Sequence, residues 1–185
     1  TGTYNFKVGF VEDTKMPASD TYNDSALQRN FLSESLIQIN GSTTRSANDF
    51  ALGTTGVGRV MGMAFDFTGT NHNVWFHNEN TYGTSSSGVG NAATGANPIF
   101  TSSDFIVTQD IRLHFTTNTD GAATSLHVNF GQDSSFAGTE TAQGNADANG
   151  NGDFFYAPPS GFLAMCTNNL PEPAVIPSEH FNTAI

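Results

Sequence analysis

The stretch that decides the fold is "GRVMGMAFDFTGTNHNVWFHN", residues 58–78. In its first half, large apolar side chains occupy every second position, at Met61, Met63, Phe65 and Phe67, and the small Gly62 and Ala64 lie between them. Successive side chains of a β-strand point to opposite faces, so this alternation predicts a strand with one apolar face. A short polar connection and the apolar run "NVWFHN" follow, and together they predict a β-hairpin.

Further strands are predicted on both sides of this hairpin. Residues 4–11, "YNFKVGFV", place Tyr4, Phe6, Val8 and Phe10 on one face. Residues 35–44, "SLIQINGSTT", read as two strands turning at Asn40-Gly41, after an irregular or briefly helical stretch. A long loop without a core-forming pattern is predicted for residues 83–97, and a short apolar strand for 161–166, "GFLAMC".

A second hairpin is predicted around Asp120-Gly121, a dipeptide that favours a type I′ turn. With a two-residue loop, Phe115 faces Leu126 and Leu113 faces Val128, so every apolar residue meets an apolar partner. On the opposite face this register pairs His114 with His127. "NFGQDSSF", residues 129–136, then ends a core strand, and residues 137–153 form a surface excursion.

The composition indicates a single all-β domain. Of 185 residues, 16 are Phe and 19 are Gly, while only 12% are charged, which suits many strands joined by turns. A net charge of −11 with 6 Lys plus Arg argues against binding to nucleic acid or to anionic membranes. The single cysteine, Cys166, excludes an internal disulfide framework, and no apolar run is long enough to span a membrane. Because the chain begins with Thr1, we expect it to be a processed product or a fragment of a longer polypeptide.

The sequence "DANGNGD", residues 147–153, is the candidate metal site. It matches the opening of an EF-hand loop, but the twelfth position, where a bidentate Glu belongs, is Pro158. A weak calcium site of another type remains an alternative, with the ligands Asp147, Asn149, Asn151 and Asp153. The favoured interpretation is an ordered polar turn that uses Asn and Gly for positive φ.

Other candidates are weaker. His114 and His127 could share a metal across the predicted hairpin, but solvent-facing histidines are the favoured interpretation. Trp75 could stack on a sugar, although a lone Trp in an aromatic strand is more often packed inside. The proposed contact residues for a partner are Tyr22, Tyr82, Glu140 and Asn145. We predict no enzyme, because the chain lacks a Gly-x-Ser-x-Gly elbow and closely spaced carboxylates on one strand.

These motifs resemble the SPRY (B30.2-like) family. The resemblance lies in Gly58, Val60, Gly62, Asp66, Trp75 and Phe76, followed by "NFGQ" at residues 129–132. The chain departs from the family in "HNENTYG", residues 77–83, and in the insertion after "NFGQDSSF". Its closing stretch, from residue 129 to "PSEHFNT" at residues 177–183, is similar to SPRY-type segments in tail-fibre or other surface-exposed virion proteins of tailed phages.

The resemblance implies a two-sheet antiparallel β-sandwich, a concanavalin A-like or SPRY-like jelly roll with long polar loops. It would span residues 1–170, with a Pro-rich exit segment at 171–185. The implied role is non-catalytic structure or recognition in a virion assembled in the host cytoplasm. Implied partners are other virion proteins or a second copy in a homo-oligomer, with a host-surface glycan or protein as a further target. No cofactor is expected, calcium being the alternative, and a lectin-like carbohydrate-binding module is the rival function.

Overall fold

The structure of the chain is a computed structural model that describes residues 5–12, 28–32, 36–39, 42–45, 58–70, 72–85, 87–102, 111–118 and 125–171. Within these ranges the chain forms β-strands in antiparallel sheets and two short 3-10 turns, without an α-helix. The prediction of an all-β chain is confirmed at this level. In chain order the strands are β1 (Asn5–Glu12), β2 (Gln28–Leu32), β3 (Leu36–Ile39), β4 (Ser42–Arg45), β5 (Met61–Asp66), β6 (Asn73–Asn78), β7 (Thr81–Tyr82), β8 (Thr84–Ser85), β9 (Gly88–Val89) and β10 (Ile111–Asn118).

The chain divides into two compact units. The first, here called the sheet unit, comprises residues 1–128 and 159–161. The second, the loop unit, comprises residues 129–158 and 162–185. All ten strands belong to the sheet unit, in a five-stranded sheet of order β10-β1-β2-β3-β4, a three-stranded sheet β5-β6-β7 and a two-stranded ribbon β8-β9.

In the five-stranded sheet one predicted strand pairing is confirmed and one prediction is wrong. Ile39 pairs with Ser42, as expected for a two-residue turn at Asn40-Gly41, although the turn itself lies outside the described residues. β2 occupies Gln28–Leu32, within the stretch predicted to be irregular or briefly helical, so that prediction is wrong there. Its partners on both sides, β1 and β3, complete backbone hydrogen bonds that override the weak helical periodicity of the sequence.

The hairpin predicted around Asp120-Gly121 is wrong. β10 forms as predicted but pairs along its whole length with β1, where Phe10 lies opposite Leu113 and Val8 opposite Phe115. Residues 125–129 are not in a strand, and Leu126 is exposed. β1 offers the same alternation of apolar side chains as the predicted partner, so a long-range ladder replaces the local one.

The β5–β6 hairpin is confirmed. Its register runs from Met61 opposite Asn78 to Asp66 opposite Asn73. The predicted apolar face packs against a buried cluster to which β1, β6 and the segment after β9 contribute. That cluster consists of Phe10, Val74, Phe76, Ile99 and Phe100, with Val8, Met61, Met63, Phe65, Phe67 and Leu113 packed around it.

The other face of β6 is buried as well. Trp75 is only 2% exposed, and its Nε1 donates a hydrogen bond to the carbonyl of Ala96 at 2.8 Å. The packing interpretation of Trp75 is therefore correct, since a ring this buried cannot serve as an open sugar platform. The segment that covers it contains β8, β9 and a 3-10 turn at Ala92–Thr94, where Asn91 Oδ1 accepts a hydrogen bond from the Thr94 N–H at 3.2 Å. The prediction of a patternless loop at residues 83–97 is wrong, because the ring of Trp75 supplies a core that local periodicity does not reveal.

Gly62 leaves room for a histidine on this same face. It pairs with His77, and a Cβ atom added at position 62 would overlap the imidazole ring. The ring also meets Tyr82 edge to face, with centroids 5.7 Å apart. Burial lowers the pKa of His77 to about 4, against a smaller upward effect of Glu79.

We predict that Gly62→Ala destabilises the sheet unit by roughly 1–3 kcal/mol, because the new methyl group forces the His77 ring out of its position. The measurement is the free energy of urea unfolding. The control is a double-mutant cycle with His77→Ala, which removes the ring. If the two substitutions add without coupling, the close packing of Gly62 against His77 is contradicted.

A second prediction concerns acid. Since the pKa of His77 is lower in the folded state than the ordinary value of 6.5, the unfolded chain takes up a proton first as pH falls. Stability from this residue is complete above about pH 6.5 and declines between there and about pH 4, by at most about 3 kcal/mol. His77→Phe keeps a ring in place and should flatten the pH dependence in that window. An unchanged slope in the variant would contradict the assignment.

Candidate recognition surface

The loop unit has almost no strand ladder to satisfy its backbone. Its described part, residues 129–158 and 162–171, contains an isolated antiparallel bridge between Asn145 and Phe154 and one 3-10 turn, Thr167–Asn169. Backbone N–H groups still need acceptors when they leave water. Side-chain oxygens of Asn129, Asp133 and Asp147 provide them.

Asn129 folds the start of the loop unit around its own side chain. Its Oδ1 accepts hydrogen bonds from the backbone N–H groups of Gly131, Gln132 and Asp133, at 2.7, 2.8 and 3.2 Å. Its Nδ2 donates to the carbonyl of Asp153 at 2.8 Å. "NFGQ" therefore forms a turn and does not end a core strand as predicted, because the Asn129 side chain captures the N–H groups that a strand would use.

Asp133 stabilises a left-handed turn. Its carboxylate accepts hydrogen bonds from the Ser135 N–H at 2.8 Å, the Ser135 hydroxyl at 2.6 Å and the Ala137 N–H at 2.7 Å. The Ser135 hydroxyl, followed by these N–H groups, lowers the pKa of Asp133. Phe136 and Ala137 have φ of 49° and 59°, a conformation that costs energy in residues with a Cβ atom. The hydrogen bonds of Asp133 offset that cost.

Asp147 is the buried carboxylate of the loop unit, 7% exposed. Its Oδ1 accepts hydrogen bonds from the backbone N–H groups of Asn149 and Asn151, both at 2.9 Å. Its Oδ2 accepts from the Ala164 N–H at 2.8 Å and from Asn169 Nδ2 at 2.7 Å. These donors, the Ala164 N–H above all, lower the pKa of Asp147 to about 2 despite its burial. One carboxylate thus joins two segments that are 17 residues apart in sequence.

Asn169 completes this arrangement. Its Oδ1 accepts from the side-chain amides of Asn149 and Asn151 at 2.9 and 2.8 Å. Its Nδ2 donates to the carbonyl of Ala164 at 2.9 Å as well as to Asp147. The group formed by Asp147, Asn149, Asn151, Ala164 and Asn169 is called the Asp147 centre below.

The residues predicted as calcium ligands lie in or beside this centre, but their oxygens are used differently. Both carboxylate oxygens of Asp147 already accept two N–H donors each, which a cation would have to displace. Asp153 Oδ1 is buried without a hydrogen-bond partner, and Asp153 is tied to Gly131 by its backbone N–H. Across the described ranges, no three His, Cys, Asp or Glu side chains are grouped to hold a metal ion. Gly150 and Gly152 have φ of 77° and 95°, as the polar-turn interpretation predicts.

The proposed partner-contact residues that the structure describes are divided between the two units. Tyr22 lies outside the described residues, and Tyr82 belongs to the sheet unit, half-buried against His77, where burial raises its pKa. Asn145 Nδ2 donates to the carbonyls of Phe154 and Phe155 at 3.2 and 2.9 Å, which is a structural role. Glu140 is half-buried, and its N–H donates to the Ser135 carbonyl at 2.9 Å.

The predicted pair of histidines is not formed by a hairpin. His114 lies in β10, opposite Gly9 of β1. His127 is exposed and outside any strand, because the predicted second strand is absent from residues 125–129. The cross-strand metal site that depended on this pairing therefore loses its geometric basis.

A group of exposed apolar side chains in the loop unit was not predicted from the sequence. Residues 161–166 are not the predicted strand, since the Cys166 N–H turns back to the Ala164 carbonyl at 2.9 Å. Ala164 is buried, whereas three large apolar side chains near it are exposed: Leu163 at 46%, Met165 at 55% and Leu170 at 67%. These three residues are called the exposed apolar segment. The residue that could have indicated this segment is Asp147, because its carboxylate accepts the hydrogen bond of the Ala164 N–H that a strand would use.

Comparisons with known proteins identify no relative: the chain matches no protein-family model, no curated protein and no solved structure. Within its described part, no helix is long and apolar enough to cross a membrane.

We predict that Asp147→Asn loosens the loop unit, because an amide cannot accept hydrogen bonds at both of its ends. Amide hydrogen exchange should become faster at Asn149, Asn151 and Ala164 together, with or without added calcium. The matched control, Asp153→Asn, makes the same change of charge at a carboxylate whose Oδ1 has no partner, and should leave those three amides protected. Equal effects of the two substitutions would contradict the role of Asp147.

Proposed function

We propose that the chain is a non-catalytic recognition and assembly module, with a SPRY-like two-sheet β-sandwich, of a surface-exposed virion protein of a tailed phage. The resemblance to that family supports this proposal. Two of the motif residues also have structural roles here: Gly62 makes room for His77, and Trp75 is buried. A module of this kind binds through its loops, and its strands hold those loops in place.

The observation that carries the proposal is the exposed apolar segment and its anchor. Leu163 and Met165 flank Ala164, whose N–H is bound by Asp147, and Leu170 follows Asn169, which binds the same carboxylate. Apolar side chains exposed close together in sequence are typical of an interaction surface. Because the backbone beneath them is fixed before binding, less conformational entropy is lost when a partner docks.

The chemistry of this region favours a protein partner. Residues 154–171 contain no Asp, Glu, Lys, Arg or His, in a chain whose net charge is −11. Charged residues are depleted and Met and aromatic residues enriched in the centre of protein interfaces. Another virion protein or a second copy of this chain therefore fits the segment. Because residues 154–171 carry no charged side chain, an acidic second copy would not be repelled by them.

A second candidate function is a lectin-like module. It is favoured by the side-chain amides of two exposed residues, Asn149 and Asn168. Asn168 lies close in sequence to Leu170 of the exposed apolar segment, and Asn149 is joined to that region by its hydrogen bond to Asn169. Amides donate to and accept from sugar hydroxyls, and apolar side chains cover the C–H faces of a sugar ring. Calcium would be an optional aid to such binding.

The test is to express the tagged chain in the phage's host during infection and to purify the particles by sedimentation. We expect the wild-type chain to sediment with the particles. The triple variant Leu163→Ser, Met165→Ser, Leu170→Ser should stay in the supernatant, because the contact surface is lost. The control, Val89→Ser, removes an apolar residue that is 61% exposed in the sheet unit and should sediment like the wild type.

Two results would contradict the proposal. One is a wild-type chain that never associates with particles. The other is equal association of the wild type and the triple variant. A glycan array probed with the same proteins, with and without calcium, tests the rival function: binding that the triple variant loses would favour the lectin.

A further inference from the structure

The loop unit contains two adjacent Asn-Gly dipeptides, Asn149-Gly150 and Asn151-Gly152. In such a pair, the backbone nitrogen of Gly can attack the side-chain carbonyl carbon of the preceding Asn. Glycine permits this approach because it has no Cβ atom and adopts unusual backbone angles readily. The two pairs lie in one loop, but their hydrogen bonds differ.

The two asparagine side chains share one hydrogen-bond acceptor. Each donates its Nδ2 to Asn169 Oδ1, at 2.9 Å from Asn149 and 2.8 Å from Asn151. Asn151 Oδ1 also accepts a long hydrogen bond, 3.4 Å, from Asn168 Nδ2. The clearer difference between the two sites lies at the attacking nitrogen. Asn149 is the more exposed of the two side chains, which by itself would favour reaction there.

The two attacking nitrogens are held differently. The Gly150 N–H donates to the carbonyl of Asp147 at 3.0 Å, inside the turn that the Asp147 carboxylate organises. Gly152 is exposed, and its N–H makes no hydrogen bond within the described residues. An N–H that donates a hydrogen bond must break it before the nitrogen can attack, whereas the nitrogen of Gly152 is free to do so.

We infer that Asn151 is a self-modification site, deamidating through a cyclic imide, while Asn149 next to it is protected. The Gly152 nitrogen loses its proton to solvent and forms a bond to Asn151 Cγ. The bond from Cγ to Nδ2 breaks, and Nδ2 takes one proton from solvent and leaves as ammonia. Water then opens the imide and leaves either aspartate or isoaspartate at position 151, with no change of oxidation state.

The modification would act on the Asp147 centre. A carboxylate at position 151 cannot donate to Asn169 Oδ1 and places a second negative charge beside Asp147. Isoaspartate would also lengthen the backbone between the N–H groups of Asn151 and Ala164, both of which Asp147 binds. The anchor of the exposed apolar segment would therefore loosen as the protein ages. This inference rests on the hydrogen bonds alone and holds whichever partner the segment binds.

The experiment is to incubate the full chain in mildly alkaline buffer and to follow both sites by peptide mapping with isoaspartate detection. In the folded chain we expect Asn151 to react roughly twofold to tenfold faster than Asn149, the factor expected from one hydrogen bond. In urea the difference should disappear, which makes the unfolded chain the internal control. Equal or faster reaction at Asn149 in the folded chain would overturn the inference, as would no reaction at either site while the unfolded chain reacts.

A second variant tests the consequence. Asn151→Asp mimics the product without the lengthened backbone, and we expect faster amide exchange at Ala164 than in the wild type. The control is Asn97→Asp, which makes the same change of charge in the sheet unit. Asn145→Asp is unsuitable, because the Asn145 side chain donates hydrogen bonds to two carbonyls. Unchanged exchange at Ala164 in Asn151→Asp would contradict the link between the modification and the anchor.

Discussion

The loop unit depends on one constraint: backbone N–H groups that leave water must find acceptors, and this part of the chain has almost no strand ladder to supply them. Asn129, Asp133 and Asp147 each gather N–H groups from the residues that follow. Asp147 also reaches Ala164 and Asn169, so its carboxylate closes the loop unit on itself. That contact adds to the side-chain amide hydrogen bonds that Asn169 accepts from Asn149 and Asn151, which join the same two segments.

The sheet unit is held together by a different interaction, the burial of apolar side chains on both faces of β6. Val74 and Phe76 pack into the cluster with Phe10 on one face, and Trp75 is covered on the other. Where a strand is buried on both faces, a large side chain that lies across the neighbouring strand needs a small residue there. Gly62 of β5 is that residue beneath the ring of His77. Gly62, Trp75 and Phe76, three residues of the motif that resembles the SPRY family, thus have packing roles.

What the sequence predicts correctly is what local patterns encode. The alternation in residues 61–67 sets the β5–β6 hairpin, and Asn40-Gly41 sets the register of β3 and β4. The predictions fail where a partner distant in sequence replaces the local one. β1 replaces the local partner of β10, Trp75 orders residues 83–97, and Asp147 takes the Ala164 N–H from a predicted strand. Alternation cannot reveal the exposed apolar segment, because "GFLAMC" has the same pattern whether it lies in a sheet or at a surface.

The "DANGNGD" stretch shows the same limit for predicting a metal site from residue types. Its residue types suit a calcium loop, but their oxygens and amides hydrogen-bond one another and the backbone, which makes the stretch the anchor of the exposed apolar segment. The most direct test of this account is a carbon-13 NMR titration of the Asp147 carboxyl group in the folded protein. The account predicts a midpoint at about pH 2. A midpoint near the ordinary aspartate value of about 3.9 would show that the N–H groups are not bound and would contradict it.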